Sequence, residues 1–279
     1  MPSRLTRSAP ASRALLGVLA LLPLAVACGG DTSPSGLTAA LLTVDGRTVE
    51  TQSGGAGPGP TVVFEAGEGD DLGVWHAVAP QVAKASKVFL YNRAGYGKSS
   101  AGPQPRDGAA LIEELRALLT AAGVARPIVL VAHSDAGLYA ELLAKKYPDE
   151  ISGLVLVEPR HRDFDAQCFA QNIPDCDVPD SAIPTLPEPF QSEFKGLPAT
   201  INALHALGGF GSLPVRVITG SGARPENNPW QALWSKLHLA LANESTRGLQ
   251  VFAGGSDHLV QIEQPEVVTA AVAAVVALR

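Results

Sequence analysis

From Thr61 onward the chain alternates between short unbroken apolar runs and longer stretches in which apolar residues recur every three or four positions. The runs TVVFEAG, KVFLYNRAG, PIVLVAHS, ISGLVLVEP, PVRVITG and LQVFAGG read as strands buried on both faces. The stretches LGVWHAVAPQVAKA, AALIEELRALLTAAG, the segment starting at Asp135 and QPEVVTAAVAAVVALR read as helices between or after them. In AALIEELRALLTAAG, Leu111, Ile112, Leu115, Leu118 and Leu119 form one apolar stripe, the pattern of a helix laid on a sheet. Upstream, LTAALLTVDGRTVETQ has strand-rich residues on both sides of Asp45-Gly46, a hairpin turn signal, so two antiparallel strands open the domain. The pattern predicts an α/β fold, a mostly parallel, helix-flanked sheet of about eight strands.

The rhythm breaks between Pro159 and Leu213, where prolines and short apolar pieces such as INALHALGGF replace it, so residues 160–212 read as a small cap or lid inserted above the carboxyl edge of the sheet. Cys168 and Cys176 lie close together there and are expected to pair. The segment CFAQNIPDC offers too few ligands for a metal, even with Asp175 and His161 nearby, and no metal site is expected. At the N-terminus Arg4, Arg7 and Arg13 precede ALLGVLALLPLAVA, which is too short to span a bilayer and ends in small residues, as secretory signals do. The expected division is a signal over 1–28, a flexible linker over 29–36 and one domain over 37–279. The segment resembles a bacterial lipoprotein signal with Cys28 as the lipidated residue, although Ala25 stands where leucine is usual. The alternative is a secreted or periplasmic protein cut before Cys28; either way the chain is exported, and any membrane attachment is by lipid anchor only. An apolar content of 46% supports a real core, and a net charge of −6 without a basic stripe makes nucleic acid an unexpected partner.

Candidate chemistry centres on Ser134. In open parallel sheets ligands bind beyond the carboxyl ends of the strands, and the run Ile128 to Leu143 stops there at a serine between His133 and Asp135 before helical spacing resumes. Ala132-His133-Ser134-Asp135-Ala136-Gly137 is a relaxed G-x-S-x-G elbow, with small residues two before and two after the serine. A serine needs a positioned base, and His258 follows the last strand; His133 reads as packing beside the elbow, and His76, His161, His205 and His238 have no comparable setting. GYGKSS is not a phosphate loop, because Asn92 stands where that motif needs glycine. Trp75, Trp230 and Trp234 read as core residues that could also line an acyl pocket.

From about Thr38 to the C-terminus, VVFEAGEG, YNRAGYGKSS, VAHSDAGLYA, LVLVEP and GGSDHLVQIEQPEVV resemble the α/β-hydrolase superfamily in the family's order. The resemblance implies a Ser134 nucleophile, a His258 base and an oxyanion hole from the backbone N–H groups of Glu68 and Asp135. It implies no cofactor and a small-molecule ester substrate. For the acid the resemblance points to Glu158, one strand earlier than the commonest place, with Glu226 as the alternative and Asp163 third. Two carboxylates at the oxyanion hole, if turned inward, would disfavour strongly anionic substrates. The expected activity is carboxylic ester hydrolysis through an acyl-enzyme, with peptidase, lactonase, thioesterase and acyltransferase chemistry still open. A protein that keeps the fold for binding without catalysis is the competing class. Oligomeric state is not legible.

Overall fold

A computed structural model describes residues 36–174, 176–179, 181–222 and 228–279. Cys28, the expected signal, Asp175 and Glu226 lie outside the described residues. The opening hairpin pairs β1 (Thr38–Val44) with β2 (Arg47–Gly54), in register from Thr38–Ser53 to Val44–Arg47. Its turn needs positive φ at both central residues, and Asp45 (49°) and Gly46 (76°) adopt it. The remaining strands are β3 (Val62–Glu65), β4 (Val88–Tyr91), β5 (Ile128–His133), β6 (Ile151–Val157), β7 (Val215–Gly220) and β8 (Gly248–Ala253). Together they form one eight-stranded sheet in the order β1-β2-β4-β3-β5-β6-β7-β8, parallel throughout except at the two pairings of β2.

The helices among the described residues are α1 (Ala79–Val82), α2 (Gly108–Ala121), α3 (Ala136–Lys146), α4 (Phe164–Ala170), α5 (Glu188–His205), α6 (Pro229–Ala242), α7 (Val260–Glu263) and α8 (Pro265–Ala277). Alternation along the buried strands divides them between two cores. Leu130 and Ala132 of β5 meet the α2 stripe, with Leu138 and Leu142 of α3. Val129 and Val131 of the same strand face Trp75, Val268 and Val272 on the other side. Each fully buried Leu or Val contributes roughly 1.5–3 kcal/mol. The five stripe residues of α2, none more than 3% exposed, therefore anchor that helix on the sheet.

Two elements differ from the sequence reading. LGVWHAVAPQVAKA does not form one helix: it forms a 3₁₀ turn over Leu72–Trp75 and the single turn α1. Pro80 has no N–H to continue a helix entering from upstream, so the chain breaks and restarts around it. Conversely, the segment expected to hold only short pieces contains α5, eighteen residues long with Pro198 inside. Leu197 and Leu204 of α5 enter the core beside α2 and α3, whereas Pro189 and Phe190 at its start lie against Gly95 and Gly69 above the sheet. Cys168 and Cys176 form a disulfide that closes the loop after α4, within a cluster that includes Phe164 and Trp234.

Candidate active site

Ser134 follows the last residue of β5 with φ of 55°, a left-handed conformation that costs a non-glycine residue about 1–3 kcal/mol. Backbone hydrogen bonds hold it there: Ser134 N–H donates to Val157 O at 3.1 Å, and Ser134 O accepts from Gly137 N–H at 2.9 Å and Arg160 N–H at 3.1 Å. The turn requires close approach on both sides. Ala132 and Ala136 are fully buried, and a Cβ on Gly137 would stand 2.6 Å from Pro159 Cβ. This packing explains the small residues flanking the serine.

His258 Nε2 lies 3.0 Å from Ser134 Oγ, and its Nδ1 lies 3.4 Å from Glu158 Oε2. Glu158, 4% exposed and also at positive φ (47°), immediately follows β6. Its carboxylate accepts from Gly220 N–H at 2.6 Å and from the Trp234 indole N–H at 3.0 Å, so it is fixed independently of the histidine. Partial burial opposes the charged form of His258, but the hydrogen bond and charge of Glu158, with Asp135 and Asp257, outweigh it and raise the histidine's pKa. A neutral imidazole here donates through Nδ1 and accepts through Nε2, the tautomer a base for Ser134 requires. Asp163 is elsewhere, 2.7 Å from His205 Nε2.

The loop after β3 brings Glu68 to the same place. Neither the Glu68 nor the Asp135 backbone N–H donates within the described residues. Burial, then the nearby Asp135 charge, raises the pKa of the Glu68 carboxyl and so favours its neutral form. A neutral Glu68 would ease the repulsion expected from two carboxylates, and Arg160 lies 3.6 Å from Asp135. The loop itself is anchored from below. Arg93 donates to Ala66 O and, at 3.0 Å, to Gly67 O, and Tyr96 Oη accepts from Gly69 N–H at 3.3 Å. Both side chains converge on Glu193 of α5, which is fully buried: Arg93 donates to it at 2.8 and 3.0 Å and Tyr96 at 3.1 Å.

Sequence reasoning missed these anchors. Arg93 and Tyr96 lie inside the quoted YNRAGYGKSS, which is where a search would begin, but their partner is about a hundred residues away. His238, which had no legible setting, is fully buried and joins Thr219 Oγ1 to Pro159 O at 2.8 Å each, steadying the segment behind Glu158. Trp234 is both a core residue and a donor to Glu158, while Trp75 is buried in the opposite core. Two cavities, about 360 and 520 Å³, meet at Ser134 and His258. A larger one, about 1170 Å³, lies at the other end of the strands beside Lys87 and Arg126 and contains no serine–histidine pair.

Residues 60–272 match the model of the alpha/beta hydrolase fold family. The chain belongs to this family. Among relatives, this α/β-hydrolase is 29% identical to YqjL, an uncharacterised protein of Bacillus subtilis (strain 168), over 82% of this chain and 88% of that one. Among solved structures it is similar to lip1, a candidate lipase of Acinetobacter baumannii AYE (TM-score 0.66, 18% identity, 88% and 92% of the two chains). It is also similar to a thermophilic esterase of Thermogutta terrifontis (TM-score 0.64, 19% identity, 85% and 97% of the two chains). Identities this low speak to the fold. Family membership supports hydrolase activity in general, and the bond cleaved has to be argued from the site.

Proposed function

We propose that this protein is a serine hydrolase that cleaves a carboxylic ester or related acyl bond through an acyl-Ser134 intermediate. The observation that carries the reading is the 3.0 Å contact between Ser134 Oγ and His258 Nε2, backed by Glu158. Ser134 Oγ attacks the acyl carbon as its proton passes to His258 Nε2. The Glu158 carboxylate stabilises the imidazolium, and the Glu68 and Asp135 amides receive the oxyanion, each such donor typically contributing about 2.7–4 kcal/mol to the transition state. The C–O bond breaks as the alkoxide takes the proton from Nε2. Water then repeats the sequence on the acyl-enzyme, releasing acid and restoring the serine. Serine at the elbow, rather than aspartate, favours acyl transfer over dehalogenation or epoxide opening, which need a carboxylate nucleophile.

The direct test is turnover of a short-chain nitrophenyl ester. Hydrolysis lost in both Ser134→Ala and His258→Ala supports the reading. No turnover by the wild type, or turnover that survives both substitutions, refutes it and leaves the fold to a binding role. We also propose that the protein is exported and that Cys28 carries a lipid. The Cys168–Cys176 disulfide is consistent with an oxidising compartment. Fatty-acid labelling of the full chain that persists in Cys28→Ser would refute the lipid.

A further inference from the structure

Arg160 stands just past β6, where the cap begins, and it reaches both central residues of the elbow. Its backbone N–H donates to Ser134 O at 3.1 Å, and its side chain, 13% exposed, brings Nη1 to 3.6 Å from Asp135 Oδ1. The cap holds the far side of the guanidinium. Nη2 donates to Asp165 Oδ2 at 2.6 Å and to Asp177 Oδ1 at 3.1 Å. Asp165 belongs to α4 and Asp177 follows Cys176, so the Cys168–Cys176 disulfide ties together the two segments that supply these acceptors. Arg160, Asp135 and Asp177 all line the cavity of about 520 Å³ at Ser134.

Asp135 has two opposed effects on the reaction proposed above. Its N–H serves the oxyanion hole, yet its side chain sets a negative charge beside the place where negative charge develops. Asp135 Oδ1, which faces the guanidinium, accepts no hydrogen bond among the described residues, so the attraction between them is one of charge. No other cation pairs with Asp135 among those residues. Burial opposes the charge on Arg160, and Asp135 leads the carboxylates that offset it, ahead of Asp165 and Asp177. Glu68, the other carboxyl group at the hole, has its neutral form favoured by burial. His258 feels the same charge: burial opposes its imidazolium, and Glu158, Asp135 and Asp257 favour it. His133, whose ring centroid is 4.7 Å from that of His258, has its own pKa held down by burial.

We propose that Arg160 is a positioning residue for acyl transfer: held by the cap, it neutralises the Asp135 side chain beside the oxyanion hole. It acts through Asp135, not on the substrate itself. The inference rests on the serine-hydrolase reading and gives the cap a part in the chemistry besides covering the site.

The experiment is a double-mutant cycle read in kcat, KM and the acid limb of kcat/KM for a nitrophenyl ester. His258 works as a neutral base, so activity climbs as pH rises through its pKa. Arg160→Gln leaves the Asp135 charge uncompensated, which favours the imidazolium and should move the limb to higher pH by about half a unit or more. Because the oxyanion exists only in the transition state, kcat should fall by about tenfold or more at similar KM. Asp135→Asn should move the limb to lower pH, and in that background Arg160→Gln should have a far smaller effect on limb and kcat. Asp165 and Asp177 lose their partner in both backgrounds, so their share cancels in the comparison. Arg160→Lys keeps the charge and should hold the limb near its wild-type place. A purely structural part for Arg160 lowers stability and activity alike in both backgrounds and moves no limb; that result overturns the inference. An unmoved limb in Asp135→Asn also overturns it, even if Arg160→Gln fails to fold. If Ser134 reacts with a fluorophosphonate, such results defeat this inference alone. If neither adduct nor turnover of any ester is seen, the hydrolase reading falls with it.

Discussion

Glu158→Gln changes one oxygen to nitrogen and should abolish most activity while leaving the fold in place. The native carboxylate accepts three hydrogen bonds, from Gly220 N–H, the Trp234 indole and His258 Nδ1. A carboxamide has one acceptor oxygen. With that oxygen kept on Gly220, the NH₂ confronts the indole N–H, a donor only, and the Nδ1 hydrogen. His258 can relieve the clash by moving its proton to Nε2, but it then cannot take the Ser134 proton. A base locked in the wrong tautomer costs about 10⁴-fold in kcat, and the unpaired indole N–H costs about 1–3 kcal/mol of stability. The pH profile adds an independent sign. Neutral His258 is the working base, so activity climbs as pH rises through its folded-state pKa, which is raised above 6.5 largely by Glu158. Removing that charge should move the acid limb to lower pH even as the plateau collapses. The assay is kcat/KM for a nitrophenyl ester across about pH 5 to 9, with a thermal melt as the control for folding. Activity within tenfold of wild type with an unmoved limb would refute the argument, and a loss found instead in Glu226→Gln would transfer the acid's role there.

Glu193→Gln should be costly in another way. It leaves Arg93, 4% exposed at its side chain, without its close counter-charge, and breaking a buried pair costs about 3–5 kcal/mol. Chemical denaturation should show that loss and steady-state kinetics a lower kcat at similar KM, because the Glu68 loop loses its anchor; a loss below about 1 kcal/mol would contradict the burial argument. Gly137→Ala drives a methyl into Pro159 and is expected to destabilise by about 1–3 kcal/mol and reduce kcat; unchanged melting and unchanged rate would mean the elbow is not tightly packed. Replacing Cys168 and Cys176 by serine opens a ring with a sequence separation of 8, expected to cost about 2–3 kcal/mol in a urea titration. No change there would show that the surrounding aromatic cluster suffices.

The sheet was legible because its strands are continuous apolar runs between helices, and the Asp45-Gly46 turn because its residues suit positive φ. Ser134, His258 and Glu158 could be nominated from their places just past strand ends. What eluded the sequence is long-range or proline-masked. Pro198 reads as a helix breaker, yet α5 continues through it: Thr200 Oγ1 bonds Gly196 O and accepts Gly108 N–H, and Leu197 and Leu204 are buried on either side. The Arg93–Glu193 pair joins a strand end to a helix far along the chain, and no local pattern encodes that. The raised pKa of Glu68 depends on burial and on a neighbour from another loop, quantities that exist only once the chain is folded.

Intact-mass analysis after treatment with a fluorophosphonate tests the central claim most directly. The account predicts one adduct per wild-type chain, mapped to Ser134, absent from Ser134→Ala and strongly slowed in His258→Ala. A wild-type chain that stays unmodified, or a variant lacking Ser134 that is modified equally, would contradict it.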